Sequence, residues 1–245
     1  MTEQNKIYDL VINDGRVMDP ESGLDGVRNV GIKGGKIDTI TEQPIQGKET
    51  INAAGHVVAP GFIDGHTHSG NDAFGVKKGI LDGRTTQLDL EAGAWPVDGW
   101  YDRLEGRSQS NYGASVGHLG IRDEVFSNTV CTTGNLFLEM WKSKSQWSVH
   151  HSTPEELEEI LEKIEQGIKQ GGLGVGTPIG YATAGLDAYE VNQAWRLAGK
   201  HGLFATVHGR FSSQALPTEG ILGTLEAIAN ASMHGAGILV HHYQA

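Results

Sequence analysis

The sequence predicts an α/β chain in which a small antiparallel β unit precedes a longer series of βα units built on a parallel sheet. Three observations predict it. Residues 7–58 are short β-rich runs split by glycine turns. From Val57 onward, apolar runs ending in polar residues alternate with stretches of helical periodicity, the pattern of strands that feed helices. The first of those runs, Val57-Val58-Ala59-Pro60-Gly61-Phe62-Ile63-Asp64-Gly65, closes on His66-Thr67-His68.

Within the first unit, residues 7–12, 16–18, 30–32 and 36–40 read as strands, with Asn13-Asp14-Gly15 and Lys33-Gly34-Gly35 as the turns between them. In the second part the strand ends carry the chemistry. They are His66 and His68, Glu91 at the end of 87–91, His118 at the end of 113–118, the glycine-rich 173–176, His208 at the end of 203–208, and His241-His242 at the end of 238–242. That makes about six strands, with no internal repeat or linker. The clearest helix starts with Thr153 as N-cap, Pro154 at the first helical position and Glu156 three residues after the cap. It places Leu157, Ile160, Leu161, Ile164 and Ile168 on one face and stops at Gly171-Gly172. Two more helices are expected over about 187–201 and 218–234.

Composition narrows the class. A chain of 245 residues, 38% hydrophobic and 20% charged, can bury a sizeable core. A net charge of −11 with 19 basic residues and no basic cluster argues against nucleic-acid or anionic-membrane partners. The polar start and the lack of an 18-residue apolar run give no support for a secretion signal or a membrane span, so the cytoplasm is the expected location. A single cysteine, Cys131, rules out an intrachain disulfide and a cysteine-based zinc knuckle, and it has no base nearby in sequence. Any metal site must therefore use histidine and carboxylate. His66 and His68, at i and i+2, lie on one face of a strand end, about 7 Å apart along the backbone, where both can reach one ion.

Ala59-Pro60-Gly61-Phe62-Ile63-Asp64-Gly65-His66-Thr67-His68 resembles the first-strand signature of the amidohydrolase superfamily. The resemblance implies a (β/α)8 TIM-like barrel, here incomplete, over 59–245, preceded by an N-terminal β-sandwich half over 1–58. A complete barrel of this kind needs eight strands and about 250 residues, so the chain is expected to be truncated after strand six. The resemblance also implies one or two divalent ions, zinc by expectation, at the C-terminal mouth. Their ligands would be His66 and His68, the strand-five His208, and His241 or His242 ending strand six. Strand alternation points one member of that last pair inward, and the tail after His242 is similar to a deacylase ending, which favours His242. An acid–base aspartate expected on strand eight is absent.

The bridging lysine usual in dihydroorotases and hydantoinases has no counterpart in 171–181, which is similar instead to the glycine-rich stretch of N-acyl-D-amino-acid deacylases. There a strand-two cysteine bridges; here Glu91 occupies that place, with Asp89, two residues deeper, as the competing structural reading. His118 in Val116-Gly117-His118 and Arg210 in His208-Gly209-Arg210 lie in stretches similar to that family's, and all three of His118, Arg210 and Tyr181 are substrate-side candidates, Tyr181 either as a hydrogen-bond donor to a substrate carboxylate or oxyanion or as a cap on the barrel. Arg210 would clamp a substrate carboxylate through its fork of donors, and Trp95 and Trp100 could line the pocket. The expected function is hydrolysis of a linear amide in a small N-acyl-D-amino acid or N-acyl-D-glutamate. The alternatives are a cyclic amidase and a metal-binding fragment without activity. Open sheet edges would favour self-association into a homo-oligomer.

Overall fold

The structure, a computed structural model, describes residues 6–127, 140, 142–210 and 217–242. Cys131 and the tail Tyr243-Gln244-Ala245 lie outside the described residues. The chain divides into two compact units, residues 1–61 and 62–245.

The first unit is one five-stranded sheet: β1 (Ile7–Asp19), β2 (Leu24–Lys33), β3 (Lys36–Thr41), β4 (Gln46–Asn52) and β5 (Val57–Val58), in the order β3-β2-β1-β4 with β5 also on β1. β1–β2 and β2–β3 are antiparallel, but β4 and β5 pair with β1 in parallel, so the sheet is mixed rather than purely antiparallel. The Lys33-Gly34-Gly35 turn forms as expected: both glycines have positive φ, 58° and 74°, and Lys33 pairs with Lys36. Asn13-Asp14-Gly15 does not turn. β1 runs through it, and the register against β2 slips between Ile12 and Gly15 while Asp14 takes φ 60°. An aspartate tolerates the left-handed region, so the chain absorbs one extra residue as a bulge and keeps its direction. The Asp14 N–H, lost to the ladder, donates to Asn29 Oδ1 at 3.0 Å.

The second unit is a six-stranded sheet of β6 (Phe62–Asp64), β7 (Arg84–Ala94), β8 (Asn111–Gly117), β9 (Gly174–Thr177), β10 (Phe204–His208) and β11 (Gly237–His241), every neighbour parallel and in sequence order. The helices are α1 (Ala73–Leu81), α2 (Val97–Leu104), α3 (His118–Ser127), α4 (Pro154–Lys169), α5 (Ala188–Lys200) and α6 (Pro217–Met233). The sheet is curled: His66, just beyond one edge strand, and His241, on the other, bring their rings to 4.4 Å between centroids. Such closure follows from the twist and shear of parallel strands.

α4 shows why its ends were readable. Thr153 Oγ1 accepts from the Glu156 N–H, and the Glu156 carboxylate accepts from the Thr153 N–H at 2.8 Å. Its buried face, Ile160, Ile164 and Ile168, meets a core that includes Val116, Val175, Val191, Trp195 and Val207. Trp95 and Trp100 are both buried, with indole N–H groups donating to Glu124 and Asn71; they pack and anchor rather than line an open pocket. Among the described residues no helix is long and apolar enough to cross a membrane.

Candidate metal centre

β7 builds the centre of the site. Its pairing with β8 is regular to Asp89 and resumes at Ala94, with Gly93 at φ 71° between them. Leu90 falls in this interruption, and its carbonyl accepts the hydroxyls of Ser115 and Thr206 from β8 and β10. Asp89 and Glu91, two apart, share one face and are both buried.

Glu91 is the hub. Its Oε2 lies 3.2 Å from His66 Nε2 and 3.1 Å from His68 Nε2; its Oε1 lies 2.7 Å from His208 Nδ1 and 3.0 Å from His242 Nε2. One carboxylate thus faces two imidazole pairs, and two ligand trios, His66–His68–Glu91 and Glu91–His208–His242, share it. Gly180 makes room for this: a Cβ there would stand 2.5 Å from His208 Cδ2. On the far side of His68, Nδ1 lies 3.1 Å from Asp89 Oδ1.

His241 and His242 both come to the mouth. His242 has φ 57°, and this left-handed turn after the last paired residue swings its ring to 4.6 Å from that of His208 and 4.5 Å from that of His66. The alternation rule that admits only one of the two holds inside a strand, and β11 ends at His241.

The electrostatics follow from this crowding. Burial is the largest single influence on Glu91 and opposes its charge, but hydrogen bonds from His208, His66 and His68 outweigh it and hold the carboxyl well below the usual carboxylate range. Burial also opposes charge on His68, yet Asp89 and Glu91 together raise it to about 10. His241 goes the other way, lowered to about 4 by burial and by neighbouring histidines, and His242 is lowered chiefly by burial. Among the described residues two buried nitrogens, His208 Nε2 and His241 Nε2, have no hydrogen-bond partner. Buried polar atoms without a partner are costly. A divalent cation among these nitrogens would relieve that cost, and imidazole plus carboxylate with no thiolate is a donor set that suits zinc-like ions. The residues fit such an ion.

Three substrate-side expectations fare differently. Tyr181 is at the rim, its ring 4.6 Å from that of His208, and burial, then the Glu91 charge, raise its phenol pKa. Arg210 is engaged within the chain: its Nε and one terminal nitrogen bind Glu226, and the terminal nitrogens also donate to the carbonyls of Thr183 and Leu186. Its fork is spent within the chain. His118 is fully buried, its nitrogens on Thr177 Oγ1 and Glu190 Oε1, so it is a framework residue rather than a substrate contact. Sequence reasoning gave Asp89 no part beside the histidines and missed Asn71, which binds it; the spacing of Asp89 and Glu91 was the only signal available.

No family model matches the chain. The fold is that of the amidohydrolase superfamily, as the first-strand motif implied. Among solved structures, the chain superposes on D-aminoacylase with a TM-score of 0.74 at 19% identity, covering 95% of this chain and 51% of that one. The N-acyl-D-glutamate deacylase of Bordetella bronchiseptica, solved with zinc and a phosphonate inhibitor, gives 0.73 at 20% over 95% and 51%. A D-hydantoinase gives 0.65 at 20% over the same shares. Curated relatives are dihydroorotases. That of Streptococcus pneumoniae serotype 4 is 55% identical over 60 residues, 24% of this chain and 14% of the relative. That of Streptococcus thermophilus is 25% identical over 232 residues, 93% of this chain and 48% of the relative. The chain therefore spans about half the length of the relatives it matches throughout.

Proposed function

We propose that this chain carries the metal-binding part of an amidohydrolase active site that cleaves the linear amide of a small N-acyl-D-amino acid, with N-acyl-D-glutamate as the first candidate, in the cytoplasm. The observation that carries it is Glu91, one buried carboxylate presented by its two oxygens to His66/His68 and to His208/His242. In this reading Glu91 takes the bridging place that a lysine fills in cyclic amidases, and the glycine-rich 171–181 offers no lysine. One or two zinc ions bound there would supply a Lewis acid for the scissile carbonyl and a means of activating water at neutral pH.

The chain's own residues hold and shape that site. His66, His68, His208 and His242 are the nitrogen ligands, with His241 able to replace or join His242. Glu91 stays ionised because its imidazole partners outweigh its burial. Tyr181 stays protonated and presents a phenol beside His208, suited to donate to a substrate oxygen as charge develops on it. The test begins with metal uptake.

A second reading, hydrolysis of a cyclic amide, is favoured by the dihydroorotase relatives. Elemental analysis of wild type, the His66→Ala/His68→Ala pair and Glu91→Ala is the primary experiment. One or two zinc ions in wild type, lost in the histidine pair and reduced in Glu91→Ala, support the centre; folded wild type free of metal overturns it. Release of amine from N-acetyl-D-glutamate against ring opening of dihydroorotate or a hydantoin then separates the two substrate readings.

A further inference from the structure

Asp89 is a buried carboxylate that the hydrolytic reading leaves without a task. It accepts three contacts: His68 Nδ1 on Oδ1 at 3.1 Å, the Gly93 N–H on Oδ1 at 3.3 Å, and Asn71 Nδ2 on Oδ2 at 3.3 Å. Asn71 in turn donates to the His68 carbonyl at 3.0 Å, and its Oδ1 accepts from Trp100 Nε1 at 2.6 Å and from Arg103 at 3.4 Å. The backbone is tied at the same place, with His66 bridged to Asp89 and the Thr67 N–H donating to the Leu88 carbonyl at 3.1 Å.

The donor and acceptor inventory fixes the direction of this chain. An indole N–H can only donate, so Asn71 must turn its oxygen to Trp100 and its NH2 to Asp89. An ionised Asp89 can only accept, so His68 must carry its proton on Nδ1. In the neutral form, the one that can bind an ion, the lone pair of His68 is then on Nε2, the nitrogen that faces Glu91 Oε2 and stands beside His66.

We propose that Asp89, braced by Asn71 and Trp100, is the positioning residue that sets the tautomer and ring orientation of His68, so that Nε2 is presented to the ion. The proposal rests on the metal-centre reading. Its physical basis is that a carboxylate on the distal nitrogen of a ligating histidine both orients the ring and increases its basicity as a donor. A carboxylate that merely filled the barrel floor would need neither the donor-only indole nor an amide pinned at both ends.

Cobalt(II) titration against a competing chelator, with proton NMR of the cobalt-loaded chain, tests it on wild type, Asp89→Ala, Asp89→Asn and Trp100→Phe. Asp89→Ala is expected to weaken binding about 10–100-fold and to lose one paramagnetically shifted, exchange-protected imidazole N–H signal, that of His68. Asp89→Asn keeps the shape and can still accept from Nδ1, but its NH2 then opposes that of Asn71. It is expected to fall between wild type and Asp89→Ala, and it carries the test should the alanine variant not fold. Trp100→Phe is expected to cost a few-fold in affinity, on the order of one hydrogen bond, with the N–H signal kept but exchanging faster. A loss of thermal stability alone, with affinity and the N–H signal unchanged in both Asp89 variants, overturns the positioning role and leaves the centre standing. Folded wild type that takes up no cobalt overturns the centre and this role together.

Discussion

Two buried carboxylates sit in the same unit, and their surroundings could hardly differ more. Glu190, on α5, is met by a fully buried Arg122 through one terminal nitrogen at 2.5 Å to each oxygen, by His118 Nε2 at 2.9 Å and by Ser152 Oγ at 2.6 Å. Arg122 spends its remaining donors on the carbonyls of Trp147, His150 and Gly185. Every polar atom there is matched, and a permanent cation answers the charge. Among the described residues Glu91 has four imidazoles and no arginine or lysine partner, with unmatched nitrogens on His208 and His241 close by. A closed set of donors and acceptors is a structural brace, whereas a carboxylate ringed by neutral-capable bases with orphaned nitrogens could hold a cation.

The contrast breaks most visibly at Arg122. Arg122→Ala strands a buried Glu190 and is expected to cost about 3–5 kcal/mol in urea unfolding, while zinc uptake by the remaining folded protein persists. Zinc binding itself is expected to stabilise the wild type by about 2.7 kcal/mol at 100 times its dissociation constant. Differential scanning calorimetry should show that rise disappear in His66→Ala/His68→Ala and survive in His118→Ala. Gly180→Ala drives a methyl into the His208 ring and is expected to cost about 1–3 kcal/mol, read as weaker zinc binding by chelator competition. At the small end, Ser152→Ala removes one hydrogen bond from the Glu190 brace, about 1 kcal/mol in unfolding, with zinc affinity unchanged.

Acid sharpens the comparison further. Burial, the largest influence on Glu190, opposes its charge, but His118 and Arg122 outweigh it and lower its pKa from 4.5 to about 2. A carboxylate whose folded pKa is depressed stabilises the fold above its unfolded pKa and loses that contribution as protons bind. Stability from the brace is therefore expected to be complete above about pH 4.5 and to drain away toward pH 2. Urea midpoints measured across that window should flatten in a His118→Ala/Glu190→Gln background; an unchanged slope would mean that Glu190 is not the group responsible.

Much of this molecule is written locally. Thr153, Pro154 and Glu156 set the start of α4 because a capping box involves only neighbours. The six strands follow from apolar runs closing on polar residues, though β6 ends at Asp64, before the histidines, and β7 runs past Glu91 to Ala94. His66, His68, Glu91 and His208 could be placed at one mouth because parallel βα units put every strand's C-terminal end on the same side. What the sequence alone did not show was non-local or depended on a single dihedral. Asn13-Asp14-Gly15 has the composition of a turn, and only its pairing with β2 makes it a bulge. Arg210 has the chemistry of a carboxylate clamp, but Glu226, sixteen residues on, claims it. His118 is claimed by Glu190 across 72 residues.

The sequence by itself determined the alternation of strands and helices in the second part, the end of the sheet on which the histidines gather, and a set of histidine and carboxylate candidates there, because those properties depend on period, capping and residue chemistry. Only the tertiary structure decided that Glu91 faces two imidazole pairs at once, that His241 and His242 share the mouth through a left-handed turn, and that Asp89 backs His68. Those outcomes depend on how a curled sheet brings its two edges together, and no segment of the chain encodes that closure alone.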